Sequence, residues 1–271
     1  MQFLIDTNYD LVQTTRAVDA ILESDSRVCV PVGQKRKFRT LEQEFRCKIP
    51  VADQTTVPLD LIGFSHSKPE VRIGQIARPL LFSRRLVNLC KSLWKADRSR
   101  RFMFPGLLTD ERISVIRRWG SNALGVKMQG LSGQIGLARK VIRRVLGVTL
   151  PVRQRFGELE VWSSERGRYF PYKVWDRTYF LSLCESQFVL CPDGDFPWTY
   201  RFFEAVLCGA IPVVQTQCSL YRGFFTKSFE DDPRDFNWSY EVALQNFEVA
   251  FELLTCESEL MARQLDELVR R

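Results

Sequence analysis

The stretch SQFVLCPDGDFPWTYRFFEAVLCGAIPVVQ, from Ser186 to Gln215, constrains the fold more than any other part of the chain. Gln187 to Cys191 is an apolar run closed by Pro192, Asp193 and Gly194, the pattern of a buried strand. Thr199 is placed to cap a helix in which Phe202, Phe203, Val206 and Leu207 fall on one side. Gly209 can end that helix, and Ile211 to Val214 is a second strand-forming run. Strand, helix and strand at this spacing form a βαβ unit with parallel strands. Ligands of such sheets bind beyond the carboxyl ends of the strands, which points to the loop CPDGDFPW as the site.

Within the helix, Arg201 and Glu204 are three residues apart and share a face, with Arg201 nearer the amino end. A helix amino terminus carries free N–H groups and partial positive charge, which suits a phosphate. Arg201 adds a fork of donors for a diphosphate, and Glu204 can accept hydrogen bonds from ribose hydroxyls. An ordinary surface ion pair, worth about 0.2–0.5 kcal/mol, has the same spacing. Spacing alone does not separate the two.

FVLCPDGD followed by TYRFFEAVLCGAIPVV resembles the nucleotide-sugar-binding segment of the exostosin-like glycosyltransferases. The shared features are a strand, a CP-x-GD-like loop, R-x-x-EA, a small-residue turn containing Gly, and PVV. The resemblance runs from Phe102 to Gln215 and hardly touches the amino-terminal part. It implies an α/β fold of two Rossmann-like domains in the GT-B arrangement. Residues 1–96 would be the acceptor-side domain, 97–240 the nucleotide-sugar-binding domain, and 241–271 a helical tail returning to the first.

The activity implied is transfer of a sugar from a UDP- or GDP-linked donor to a hydroxyl of a glycan or lipid-linked acceptor, with inversion. Arg201 and Arg112, the latter in the first turn of a helix capped by Thr109, would hold the diphosphate, and Glu204 the ribose. Asp193, Gly194, Asp195, Pro197, Trp198, Thr199 and Tyr200 would close over the donor. Asp193-Gly194-Asp195 also spells D-x-D, a manganese motif elsewhere. In GT-B enzymes the helix dipole and basic side chains take the metal's place, so no metal and no cofactor are expected. The base should come from the amino-terminal side. His66, the single histidine, follows the strand-like run Leu59 to Phe64, and Asp6 follows Gln2 to Ile5. A loop histidine that only hydrogen-bonds fits the same position, so the base stays unassigned.

Net charge is +7, unevenly spread. From Lys95 to Arg155 the acids are only Asp97, Asp110 and Glu111, whereas acids predominate from Glu230 to Glu267. A basic middle suits a nucleotide diphosphate, an acidic glycan, lipid phosphate or nucleic acid, and equally a solvated face pairing with the acidic tail. No nucleic-acid motif with interleaved aromatics accompanies it, so nucleic acid is not expected as a partner. The eight cysteines show no CxxC spacing, which reads as a reducing, cytoplasmic setting, with peripheral contact to a membrane surface left open. MQFLIDTNYD lacks a long apolar run and is not expected to be a secretion signal. Two other functions stand beside transfer: a non-catalytic sugar-nucleotide-binding relative, and a basic nucleic-acid-binding protein.

Elsewhere, Asp10 to Glu23 shows helical spacing before the strand RVCVPV, a second βαβ unit. Pro69 to Pro79 reads as irregular or a broken helix because Gly74 and Pro79 interrupt it. KADRSRR (95–101) marks the expected domain boundary, and RFMF the next strand. GLSGQIG (130–136) lacks the GK[ST] ending of a phosphate loop and is rejected as one.

Overall fold

The computed structural model describes residues 3–5, 12–25, 27–52, 62–65, 69–131, 152–163 and 170–270. The protein is α/β, and its chain divides into two units. One comprises Met1–Leu89, Phe170–Asp176 and Ala250–Arg271; the other comprises Cys90–Tyr169 and Arg177–Val249. The sequence-derived boundary at 96/97 lies a few residues past the division at Leu89. Among the described residues no helix is long and apolar enough to cross a membrane.

In the first unit, β1 (Phe3–Leu4), α1 (Val12–Ser24) and β2 (Val28–Pro31) form a βαβ element, and α2 (Arg39–Phe45) leads to β3 (Val51–Ala52). The strands make a three-stranded parallel sheet in the order β1-β2-β3. α1 is buried even at Gln13, Arg16 and Asp19. Its Asp19 carboxylate accepts hydrogen bonds from the Ser83 hydroxyl and the Arg85 guanidinium, so the buried charge is paired.

β4 (Ile62–Ser65), β5 (Glu70–Ile73) and β6 (Ile76–Arg78) form a separate antiparallel sheet. The expectation of an irregular Pro69 to Pro79 is therefore corrected to a hairpin. Val71, Ile73 and Ile76 are buried while Arg72 is exposed, the period of two that a strand requires. Gly74, with φ +56°, makes the turn rather than breaking a helix.

α3 (Arg84–Ser92) precedes the six-stranded sheet of the second unit. Its elements are β7 (Arg100–Gly106), α4 (Asp110–Leu124), β8 (Val152–Phe156), β9 (Leu159–Ser163), α5 (Arg177–Cys184), β10 (Ser186–Cys191), α6 (Tyr200–Leu207), β11 (Ile211–Val214) and β12 (Lys227–Ser228). The strand order is β12-β11-β10-β7-β9-β8, parallel throughout except for β8 at the edge. α7 (Tyr240–Leu254) and α8 (Ser258–Val269) close the chain, and α8 packs on α1.

Alternation along the strands builds two cores. Phe102 and Phe104 of β7, Phe188 and Leu190 of β10, and Ile211 and Val213 of β11 pack with Ile113, Ile116 and Trp119 of α4. Val189 and Cys191 face the other way, where α5 and α6 pack against β10. The chain leaves β7 for β8 and β9 on one side, then returns to β10, β11 and β12 on the other. The strand order thus reverses between β7 and β10, the position where open α/β sheets leave a crevice at the carboxyl ends.

Candidate functional site

Two arginines meet at that crevice. Thr199 caps α6, its side chain accepting from the Phe202 N–H at 3.3 Å. The Thr199 N–H in turn donates to the Tyr221 hydroxyl at 2.9 Å. Tyr221 stacks on Phe202 at 3.8 Å with the rings 14° apart, which fixes the direction in which α6 starts. One residue into the helix, the Arg201 Nε donates to the Pro105 carbonyl at the end of β7 at 2.6 Å. The guanidinium lies over the Phe104 ring at 4.3 Å, a cation–π contact, and abuts Gly106 where any side chain would collide with it.

Arg201 is 8% exposed, and its Nη1 is buried with no hydrogen-bond partner among the described residues. Such an N–H is left unsatisfied at a cost of about 1–3 kcal/mol. Arg112 approaches from α4. Its Nε donates to the Asp193 carbonyl at 3.1 Å, its Nη1 to the Leu107 carbonyl at 3.3 Å, and its guanidinium lies against Gly194. Both glycines leave room that a side chain would fill.

The structure brings Arg201, Arg112, Asp193, Gly194 and Thr199 to one place. Glu204 lies on the same helix, 8% exposed, and accepts from the Tyr179 hydroxyl at 2.7 Å. Arg201 and Glu204 are therefore not an exposed surface pair. In the loop, Asp195 and Pro197 are exposed, Trp198 is buried and Tyr200 is half-buried, their rings meeting edge to face at 5.0 Å. The Asp193 N–H donates to the Gln215 side chain at 3.2 Å. His66 and Asp6 lie outside the described residues, as does most of GLSGQIG. Among the described residues no group of three or more His, Cys, Asp or Glu side chains is gathered as metal ligands would be.

Sequence reasoning missed Gly106, Pro105, Tyr179 and Gln215. Pro105 and Gly106 directly follow RFMF and carried the only local signal; the others take part through strand pairing and helix packing.

Cys191 ends β10 beneath this cluster. Burial pushes its thiol up to about 12, against the opposing pull of the Arg201 charge and the Thr199 contact, so it is a protonated, inert group rather than a nucleophile. Cys208, beside Cys184 and Cys90, is also raised by burial. In the unfolded chain such thiols ionise near their ordinary value of 9. The Cys191 contribution is thus complete below pH 9 and lost as pH rises toward about 12. Urea unfolding should show stability falling across that window, and less steeply in Cys191→Ala. An unchanged slope in that variant would remove Cys191 from the alkaline transition.

Compared with family models, curated proteins and solved structures, the chain finds a match in none of the three.

Proposed function

We propose that the second unit binds the diphosphate of a nucleotide-sugar donor and that the protein is a glycosyltransferase of the exostosin-like, GT-B kind. The observation that carries this reading is the buried Arg201 guanidinium at the β7/β10 reversal, with one nitrogen lacking an acceptor among the described residues. A diphosphate would pair with the Arg201 charge, and Arg112 beside Gly194 would supply a second cation. In transfer, these charges would stabilise the departing diphosphate, and the α6 amino terminus would add its partial positive charge. Glu204, oriented by Tyr179, would accept from the ribose hydroxyls.

The parallel β1-β2-β3 sheet supports a second, smaller Rossmann-like domain for the glycan or lipid-linked acceptor. The antiparallel β4-β5-β6 sheet is an addition that the resemblance does not call for.

Release of UDP or GDP from a panel of UDP- and GDP-sugars tests the proposal, with and without glycan acceptors and in the presence of a chelator. Turnover of one donor is expected, persisting in chelator and lost in Glu204→Ala. Donor binding with no turnover on any acceptor would instead favour a non-catalytic relative. Activity lost in chelator and restored by manganese would overturn the metal-independent form.

A further inference from the structure

In the last turn of α3, the Lys91 ammonium sits among three aromatic rings. Its Nζ lies 3.4 Å from the centre of the Trp94 ring, 4.8 Å from that of Tyr240 and 5.2 Å from that of Phe247. Tyr240 and Phe247 stand two turns apart on one face of α7. Trp94 meets both edge to face, Tyr240 at 5.9 Å and 81° and Phe247 at 5.5 Å and 84°. The rings are thus the walls of a box around one cation, and all four residues belong to the second unit.

The box suits charge better than it suits hydrogen bonding. A lysine ammonium has three N–H donors and is strongly hydrated. Among the described residues Lys91 has the Tyr240 hydroxyl as acceptor, at 3.3 Å, and no carboxylate within ion-pair distance. Lys35 and Lys95, by contrast, pair with Glu42 and Glu185. Three π faces attract any monocation, and one whose N–H groups are replaced by methyls gives up less water on entering and fills more of the walls. Methylation keeps the charge of a lysine, whereas acetylation removes it. Lys91 is half-buried and Tyr240 is 45% exposed, so the box reaches the surface and the four-carbon stem can swing out.

We propose that Lys91 is a site of lysine methylation and that its own aromatic box holds the methylated form. The deprotonated amine, swung out of the box, attacks the methyl carbon of a sulfonium donor carried by a methyltransferase. The C–N bond forms, the C–S bond breaks to leave a thioether, and the proton shed by the ammonium goes to solvent. Each round exchanges one N–H for one N–CH3 and retains the positive charge, up to the trimethylammonium. The methylated side chain then returns among Trp94, Tyr240 and Phe247 and ties the end of α3 to the start of α7 more firmly than lysine does.

Trimethyllysine installed at position 91 by stop-codon suppression, compared with the parent lysine by thermal unfolding, tests the box. The methylated chain is expected to melt about 2 °C or more higher. Tyr240→Leu, which removes one exposed wall, should erase that gain. Acetyllysine at the same position is bulky but uncharged and should show no gain. Peptide mass mapping of the chain from the cells that naturally produce it tests the modification, with one to three methyl groups expected on Lys91. Equal melting temperatures for lysine and trimethyllysine, a gain that survives Tyr240→Leu or is shared by acetyllysine, or an unmethylated Lys91 in the native chain would each overturn the proposal.

Discussion

Gly209→Val is expected to unfold the second unit at temperatures where the parent chain is folded. Gly209 ends α6 with φ +73°, a left-handed conformation that costs a β-branched residue about 1–2 kcal/mol or more. A Cβ there would lie 2.6 Å from the Trp94 ring and 2.5 Å from the Arg98 guanidinium, an overpacking worth about another 1–3 kcal/mol.

Those neighbours cannot simply move, because they satisfy the carbonyls where α6 stops. The Trp94 indole donates to Leu207 O at 2.9 Å, Arg98 to Cys208 O at 3.0 Å, and the Trp238 indole to Gly209 O at 3.0 Å. Arg98 also reaches Ser186 O at 2.7 Å, so one buried cation serves the start of β10 and the end of α6. Burial lowers its pKa to about 10, still high enough to keep it charged near neutral pH. Gly125, at φ +65° with open space around its Cβ position, is the control: Gly125→Ala bears the backbone cost alone. Thermal unfolding of Gly209→Ala beside Gly125→Ala reads the clash directly, and equal melting temperatures would mean the packing around Gly209 is not as described.

The second large effect is expected in binding. Arg201→Met keeps an apolar stem for the Phe104 contact, removes the unsatisfied Nη1, and gives up the bond to Pro105 O. Loss of one buried hydrogen bond and relief of one buried unpaired group nearly offset, so stability should change by no more than about 1 kcal/mol. Diphosphate affinity should fall by about tenfold to a hundredfold, the worth of charge-assisted hydrogen bonds of about 1.5–3 kcal/mol. If Arg201 serves only to tie α6 to β7, the pattern inverts: the melting temperature drops and ligand affinity is untouched. Gly106→Ala offers a second route to the same guanidinium, since the added methyl must displace it.

The sequence made the β10–α6–β11 unit legible because its signals are local or uninterrupted. Buried parallel strands carry continuous apolar runs, so Gln187 to Cys191 and Ile211 to Val214 differ from β10 and β11 by at most one residue. Thr199 and Thr109 cap helices through their own side chains. The edge strand β8, VRQRF, carries two arginines in five residues and no strand was assigned to it; pairing with β9 makes it one. The β5–β6 hairpin was hidden because a glycine and a proline within eleven residues look like breaks.

At the site, the spacing of Arg201 and Glu204 was visible but their burial was not. It depends on β7, α5 and the loop around Tyr221, which register and packing bring there from distant parts of the chain.

Thermal unfolding of the parent chain with UDP and GDP at saturating concentration tests the diphosphate site most directly. A ligand held by the native state alone, at about a hundred times its Kd, adds about 2.7 kcal/mol of stability. One of the two nucleotides is expected to raise the melting temperature by several degrees, and Arg201→Met should erase the rise. No shift with either nucleotide would contradict the assignment of Arg201 and Arg112 to a donor diphosphate.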